Sequence, residues 1–377
     1  MRIAFALYKY FPYGGLARDF VRIADMCLQK GYRVDVYVME WHGERMAGYH
    51  PKVLSCKGLT NHAKVSSFHQ QLADQLKKES YDVVVGFNKM PNLDVYYAAD
   101  PCYVDRFVSK CLLHQLNPRY RFYSQVEKAV FGVKSKTVCL MISDVQTELF
   151  KRHYGTPDNR LVRLPPGIDK SRRRVKGDET RRSAFRQALN FGEKELLVLM
   201  VGSAFKTKGV DRSIKALASL PITLRKKTHL MVVGEGDVAP YERLAKANGV
   251  ANHVHLMGGR SDVPDFLLAA DLLLHPARKE NTGTVILEAM VAGLPMLVTG
   301  NCGYAKYVDQ SKAGVVISSP FKQQVLNEQL ASLLLSDARE ALAQRALTLA
   351  DREDLYSMPE KAVEAIERVA KEKVHAV

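Results

Sequence analysis

Cysteine is sparse and unpatterned in this chain: Cys27, Cys56, Cys102, Cys111, Cys139 and Cys302 include no CxxC pair and no regular spacing. That argues against a disulfide framework or a thiolate metal site and leaves reduced, mostly buried thiols. An HExxH signature is also missing, so no protein-bound metal is expected. No apolar run approaches the roughly 18 residues of a transmembrane helix. The stretch Met1–Leu7 is too short for a signal peptide and reads as a buried first strand. Acids are in deficit as well, 40 against 55 Lys and Arg, for a formal charge of +15. The resulting field favours nucleic acid, anionic membrane or a phosphorylated substrate. What is present, 377 residues that are 47% hydrophobic and 25% charged, suffices for a soluble protein of two ordinary domains.

The two halves of the chain begin alike. Ile3–Leu7 reads as a strand, followed by the loop Phe11-Pro12-Tyr13-Gly14-Gly15. Apolar residues Leu16, Phe20, Ile23, Cys27 and Leu28 then mark a helix closed by Gly31, before a strand over Val34–Val38. The second half restarts with a strand over 196–201, a loop over 202–209, a helix over 210–220 and a strand over 230–233. Further strands are expected at 254–257, 272–274, 296–299 and 315–317. The Arg-rich segment from Pro165 to about Glu195 reads as the connection between halves. The expected class is therefore α/β: two Rossmann-like, doubly wound parallel-sheet domains facing across a cleft, with ligand at the carboxyl ends of the strands.

Glu280 and Glu288 stand eight residues apart in Glu280-Asn-Thr-Gly-Thr-Val-Ile-Leu-Glu288. An apolar run precedes the first carboxylate, and the small residues Asn281 to Thr284 precede an apolar helix. A loop feeding a helix N-terminus attracts phosphate, while carboxylates beside it accept hydrogen bonds from neutral hydroxyls. Phosphate plus polyol describes a nucleotide sugar; a plain helix cap with surface carboxylates is the alternative. A second feature lies between Arg106 and Lys136, where seven basic residues face one acid, Glu127, among Phe107, Tyr120, Phe122, Tyr123 and Phe131. Two short amphipathic helices around Pro118 would align Phe122, Val126 and Val130 on one face. Arg106, Phe107, Lys110, Arg119, Tyr120, Arg121, Phe122 and Lys128 then suit contact with an anionic membrane surface. The alternative is a solvated basic face over an ordinary core stripe. Nucleic acid is disfavoured, because no recognisable binding module accompanies the charge.

The two-domain plan, Gly14-Gly15, Lys208-Gly209 and the Glu-x7-Glu pair resemble the retaining GT-B glycosyltransferases of family 4. Longer strings are similar to one group within it, the lipopolysaccharide core glycosyltransferase I family: 7–16 (Leu-Tyr-Lys-Tyr-Phe-Pro-Tyr-Gly-Gly-Leu), 86–91, 93–100, 164–168 and 208–214. The resemblance runs over essentially the whole chain. It implies an N-terminal acceptor-binding domain over 1–165, a nucleotide-sugar domain over 166–356, and a C-terminal helix in 357–377 returning to the first domain. It also implies transfer of a hexose or N-acetylhexosamine from a UDP-sugar to heptose of a phosphorylated, lipid-linked inner core, without cofactor or metal, in the cytoplasm at the inner membrane.

By the same resemblance, Lys208 meets the diphosphate, with Lys206 and Arg172 assisting. The N–H groups of Gly283 and Thr284 take the same phosphates, Glu288 binds ribose, Glu280 a hydroxyl of the transferred sugar, and Arg260 lies against uracil. Gly14 and Gly15 let backbone approach the donor. Asp19 reaches a sugar hydroxyl, and Asp100, at a strand end, lies nearest the reacting carbon. Asn281 and Thr282 are more polar than the small residues expected of a glucose-specific member, so the donor stays open among glucose, GlcNAc and GalNAc. Two other classes compete. A nucleotide-sugar epimerase or dehydrogenase of Rossmann type would want GxGxxG after the first strand, which is absent. A non-catalytic basic membrane or nucleic-acid adaptor would not need Glu280, Glu288 and Lys208.

Overall fold

Strands such as Arg2–Ala6 and Leu196–Val201 are almost free of charge and are buried on both faces, as parallel strands covered by helices must be. The computed structural model describes residues 1–12, 14–44, 46–108 and 112–375, so Lys110 lies outside the described residues. The chain divides into two units, Met1–Gly167 with Ser357–Val377, and Ile168–Tyr356.

In the first unit the strands are β1 (Arg2–Ala6), β2 (Lys9–Tyr10), β3 (Arg33–Val38), β4 (Glu40–Trp41), β5 (Tyr49–Val53), β6 (Val83–Gly86), β7 (Val95–Ala98), β8 (Val138–Met141) and β9 (Leu161–Arg163). Seven of them form one sheet in the order β5-β3-β1-β6-β7-β8-β9, and β2 pairs with β4. All neighbours in the large sheet run parallel. Pro51 is tolerated because β5 is an edge strand. One face packs Phe5, Val36, Val85 and Tyr97 against the helices Gly15–Gln29 and Met358–His375, which present Phe20, Ile23, Val363 and Ile366. The other packs Ala6, Tyr37, Tyr96 and Cys139 with Phe68, Phe131 and Phe150.

The second unit carries β10 (Leu196–Val201), β11 (Thr228–Val233), β12 (Val254–Gly258), β13 (Leu272–His275), β14 (Met296–Thr299) and β15 (Gly314–Ile317) in the order β12-β11-β10-β13-β14-β15, again all parallel. Strand order reverses between β10 and β13. The loops leaving their carboxyl ends therefore diverge to opposite faces and open a crevice, which is where open α/β sheets bind ligands. Those two loops carry Lys208 and Glu280.

Three local readings change. The expected loop over 202–209 contains a helical turn, Phe205–Lys208, entered through Ala204 in the left-handed region at φ 59°. The expected connection contains a helix, Asp178–Ala188, whose Phe185 meets Phe266 at 5.0 Å between ring centroids. Around Pro118 there is one helix, Pro118–Phe131, preceded by a 3-10 turn over Leu112–Leu116, because Pro at the first helical position starts a helix rather than splitting two.

Candidate functional site

Lys208 closes the short turn Phe205–Lys208, and its ammonium makes an ion pair with Glu280 Oε2. Gly209 follows at φ 80°, and a methyl there would overlap the Pro276 carbonyl oxygen, so the turn sits directly against the end of β13. A further clamp fixes it. Arg278 donates to both oxygens of Asp211 at 2.7 Å, and to the Lys206 carbonyl at 2.8 Å. Lys206 itself, within this turn, is exposed.

Glu280 is held from three sides, by Lys208, by the His275 ring with Nε2 at 3.4 Å, and by the loop after β14, where it bridges to Cys302. Burial alone raises its pKa, but His275 and Lys208 outweigh that and hold it down at about 2. The Cys302 thiol is pushed up to about 12, first by burial and then by the neighbouring carboxylate. Tyr304 donates its N–H to the Thr282 carbonyl at 2.7 Å. A methyl on Gly303 would overlap the Asn281 carbonyl oxygen, with Asn281 C and Thr282 Cα at 3.3 Å. Asn281 and Thr282 are thus pinned by the 300–304 loop. Gly283, at φ 80°, opens the helix Thr284–Val291, whose first N–H groups lack intrahelical acceptors. The arrangement sets a cation, an ionised carboxylate and a helix N-terminus around one crevice, which suits a ligand with both phosphate and hydroxyls.

Glu288 lies one turn into that helix, 4% exposed, and accepts from Arg172 Nη1 at 2.6 Å. Arg172 therefore stands at Glu288. Arg260 forks onto Asp262 at 2.6 and 2.8 Å and lies 5.3 Å from the Phe266 ring centroid. Arg260 is partly exposed, and neither Asp262 nor Phe266 is among the predicted site residues. His275, Arg278, Asp211 and Gly303 escaped sequence reasoning. Only the fully buried His275 at the end of an apolar run offered a signal.

In the first unit, Gly14 caps the helix Gly15–Gln29, and Asp19 on that helix accepts from Tyr97 OH at 2.8 Å. Asp100 Oδ2 meets Tyr96 OH at 3.3 Å and Asn88 Nδ2 at 3.4 Å. Successive side chains of a strand point to opposite faces, so Tyr96 and Tyr97 tie the two aspartates on opposite sides of β7. Asn88 is fixed in turn by Tyr8 N–H at 2.9 Å.

Arg106, Arg119, Arg121 and Lys128 are all exposed, and none makes an ion pair among the described residues. The expected apolar stripe is turned inward: Val126 and Val130 are buried, and Phe122 stacks on His69 at 5.9 Å. Phe107 and Tyr120 belong to an aromatic cluster with Tyr103 and His114. The exposed large apolar groups of this stretch, among the described residues, are instead Val108, Leu113, Leu116 and Val133. Glu127 is fully buried, pairs with Lys89, and accepts from Tyr103 N–H at 2.8 Å, Val104 N–H at 3.2 Å and Tyr154 OH at 2.8 Å. No helix among the described residues is long and apolar enough to cross a membrane. No group of three His, Cys, Asp or Glu side chains among them converges as a metal site.

Residues 181–348 match the family described as glycosyl transferases group 1, and residues 13–172 match glycosyltransferase family 4. The chain is 45% identical to the lipopolysaccharide glucosyltransferase WaaG of Escherichia coli K12, over 97% of this chain and 98% of that one. A crystal structure of WaaG, a glycosyltransferase involved in lipopolysaccharide biosynthesis, superposes with a TM-score of 0.93, covering 97% and 99% of the two chains. The Anabaena protein HepE, solved with UDP-glucose, shares the fold at 18% identity and a TM-score of 0.77, covering 98% and 100%.

Proposed function

Since the chain belongs to the WaaG group of GT-B family 4 glycosyltransferases, we propose that it moves a hexose or N-acetylhexosamine from a UDP-sugar to heptose of the lipopolysaccharide inner core, with retention at the transferred carbon. It is a glycosyltransferase of lipopolysaccharide biosynthesis by its family, which displaces the epimerase and adaptor readings. The observation that carries the finer reading is the Lys208–Glu280 pair at the reversal of strand order, beside the start of the helix Thr284–Val291.

Lys208 meets the diphosphate and stabilises the charge that grows on it as the bond from the sugar carbon to phosphate oxygen breaks. The N–H groups at Gly283 and Thr284 share that load. Glu280 accepts from a hydroxyl of the transferred sugar and Glu288 from the ribose; Arg172 leaves Glu288 for the phosphates or stays as its second partner. Arg260 stacks on uracil once it releases Asp262, and Asp100 and Asp19 are assigned to the sugar. The acceptor oxygen attacks on the face the diphosphate leaves, and its proton passes to the departing phosphate oxygen. No metal takes part. Arg106, Arg119, Arg121 and Lys128, with the exposed Val108, Leu113 and Leu116, rest on the anionic inner face of the membrane that bears the acceptor.

Calorimetric titration with UDP-glucose, UDP-GlcNAc and UDP-GalNAc, followed by transfer to heptose-terminated core in the presence of EDTA, tests the reading. One donor should bind more tightly than UDP and be consumed despite the chelator. Failure of all three to bind, or loss of turnover with EDTA, would refute it.

A further inference from the structure

The last residue of β13 is the odd one out. Leu272, Leu273 and Leu274 are buried as a parallel core strand requires, yet the fourth position is His275, equally buried at 0% exposure. Neither ring nitrogen has a hydrogen-bond partner among the described residues. Buried polar groups are nearly always satisfied, and leucine would pack here at no polar cost. The ring is not idle packing. Its Nε2 lies 3.4 Å from Glu280 Oε2, a few tenths of an ångström beyond an ordinary hydrogen bond. The same oxygen is already taken by Lys208.

We infer that His275 is a positioning residue for Glu280: when a donor's diphosphate draws Lys208 to itself, the Nε2–H of the ring closes on Oε2 and takes the lysine's place. The inference rests on the assignment of Glu280 to the transferred sugar. Without a substitute, departure of Lys208 would leave a buried carboxylate with no cation, and burial would drive it toward its neutral acid. A neutral acid swings freely and accepts the sugar hydroxyl poorly. The groups facing Glu280 are Lys208 from the turn after β10, His275 from β13 and the Cys302 thiol from the loop after β14. The thiol, with its pKa near 12, stays neutral and brings no charge of its own. His275 alone among the three can follow the carboxylate after the lysine has gone.

His275→Leu removes the donor while keeping the core apolar, and His275→Gln returns an N–H. In the full-length protein, His275→Leu should melt at or above the wild-type Tm and bind UDP unchanged. It should bind the accepted UDP-sugar about tenfold more weakly, roughly one hydrogen bond to a charged group. The acid limb of its kcat/KM profile should move up by a pH unit or more, and His275→Gln should restore both affinity and profile. His275→Met serves if leucine does not fold. Equal losses for UDP and UDP-sugar, or a variant with unmoved affinity and acid limb, would overturn the inference. Glu280→Gln is measured alongside. If it weakens UDP-sugar while His275→Leu does not, only the histidine's role falls; if it has no effect, the assignment of Glu280 falls and takes this inference with it.

Discussion

Replacing Gly303 by alanine isolates one close approach in the site. Its φ lies outside the left-handed region, so alanine introduces no backbone strain, and the whole effect comes from where the new methyl goes. It would overlap the Asn281 carbonyl oxygen, and relief requires the 280–283 segment to retreat on the order of 1 Å from the 300–304 loop. Overpacking of this kind costs about 1–3 kcal/mol of stability. A displacement of about 1 Å at a positioning segment costs about 10²-fold in rate. Gly303→Ala should therefore lose about 1–3 kcal/mol in urea unfolding and about 100-fold in kcat/KM. The greater share of the binding loss should fall on UDP-sugar rather than UDP, because Glu280 moves with the loop. Gly192→Ala is the control, since a methyl there meets only Glu195 Oε2, at 3.7 Å. A Gly303→Ala protein with wild-type stability and turnover would show that the two loops are not pressed together and that the site does not depend on their contact.

Lys208→Ala should slow transfer about 10²–10³-fold, about 2.7–4 kcal/mol of barrier, in steady-state assays; a normal rate would remove Lys208 from the chemistry. Glu288→Gln should weaken UDP itself, whereas Glu280→Gln should weaken UDP-sugar by about 1.5–3 kcal/mol and spare UDP; calorimetry showing equal UDP losses would contradict that division. Arg119, Arg121 and Lys128 changed together to Gln should release the protein from phosphatidylglycerol vesicles while leaving UDP-sugar affinity intact, each cation contributing about 1 kcal/mol. Sedimentation unchanged in the triple variant would argue for a plain solvated face. His69 is pushed down to about 4 by burial, so the folded ring stays neutral where the unfolded chain, with a pKa of about 6.5, takes up a proton. Stability present above pH 6.5 should fall by about 3 kcal/mol as pH drops toward 4, and His69→Gln should remove that share of the slope in urea titrations at pH 7, 5 and 4.

Contiguous signals made much of this molecule legible from sequence. Apolar strands, the paired β-loop-α starts and the Glu280 to Glu288 segment each occupy one short stretch, so periodicity and capping residues suffice to read them. The loop turn Phe205–Lys208 was hidden because Ala204 adopts a left-handed conformation that no residue type announces. Strand β5 was hidden by Pro51, which only an edge position accommodates. The Arg278 to Asp211 clamp and the Gly303 contact join residues far apart in the chain, and a single sequence carries no trace of such pairings. The spacing of Phe122, Val126 and Val130 found a helix face without revealing that it looks inward. Exposure falls instead to Val108, Leu113, Leu116 and Val133.

The one acid between Arg106 and Lys136 is Glu127, and it is spent inside the fold on Lys89 and the 103–104 backbone. Counted along the sequence, that carboxylate tempers the basic stretch. Counted on the surface, it is absent. Arg106, Arg119, Arg121, Lys128, Lys134 and Lys136 are exposed, and no exposed acid within that stretch answers them among the described residues. Their counter-charge is therefore mobile. Dissolved anions supply it when the protein is free, and any surface of fixed phosphates that takes their place sets those ions loose, so the face exchanges one atmosphere for another without breaking a bond of its own.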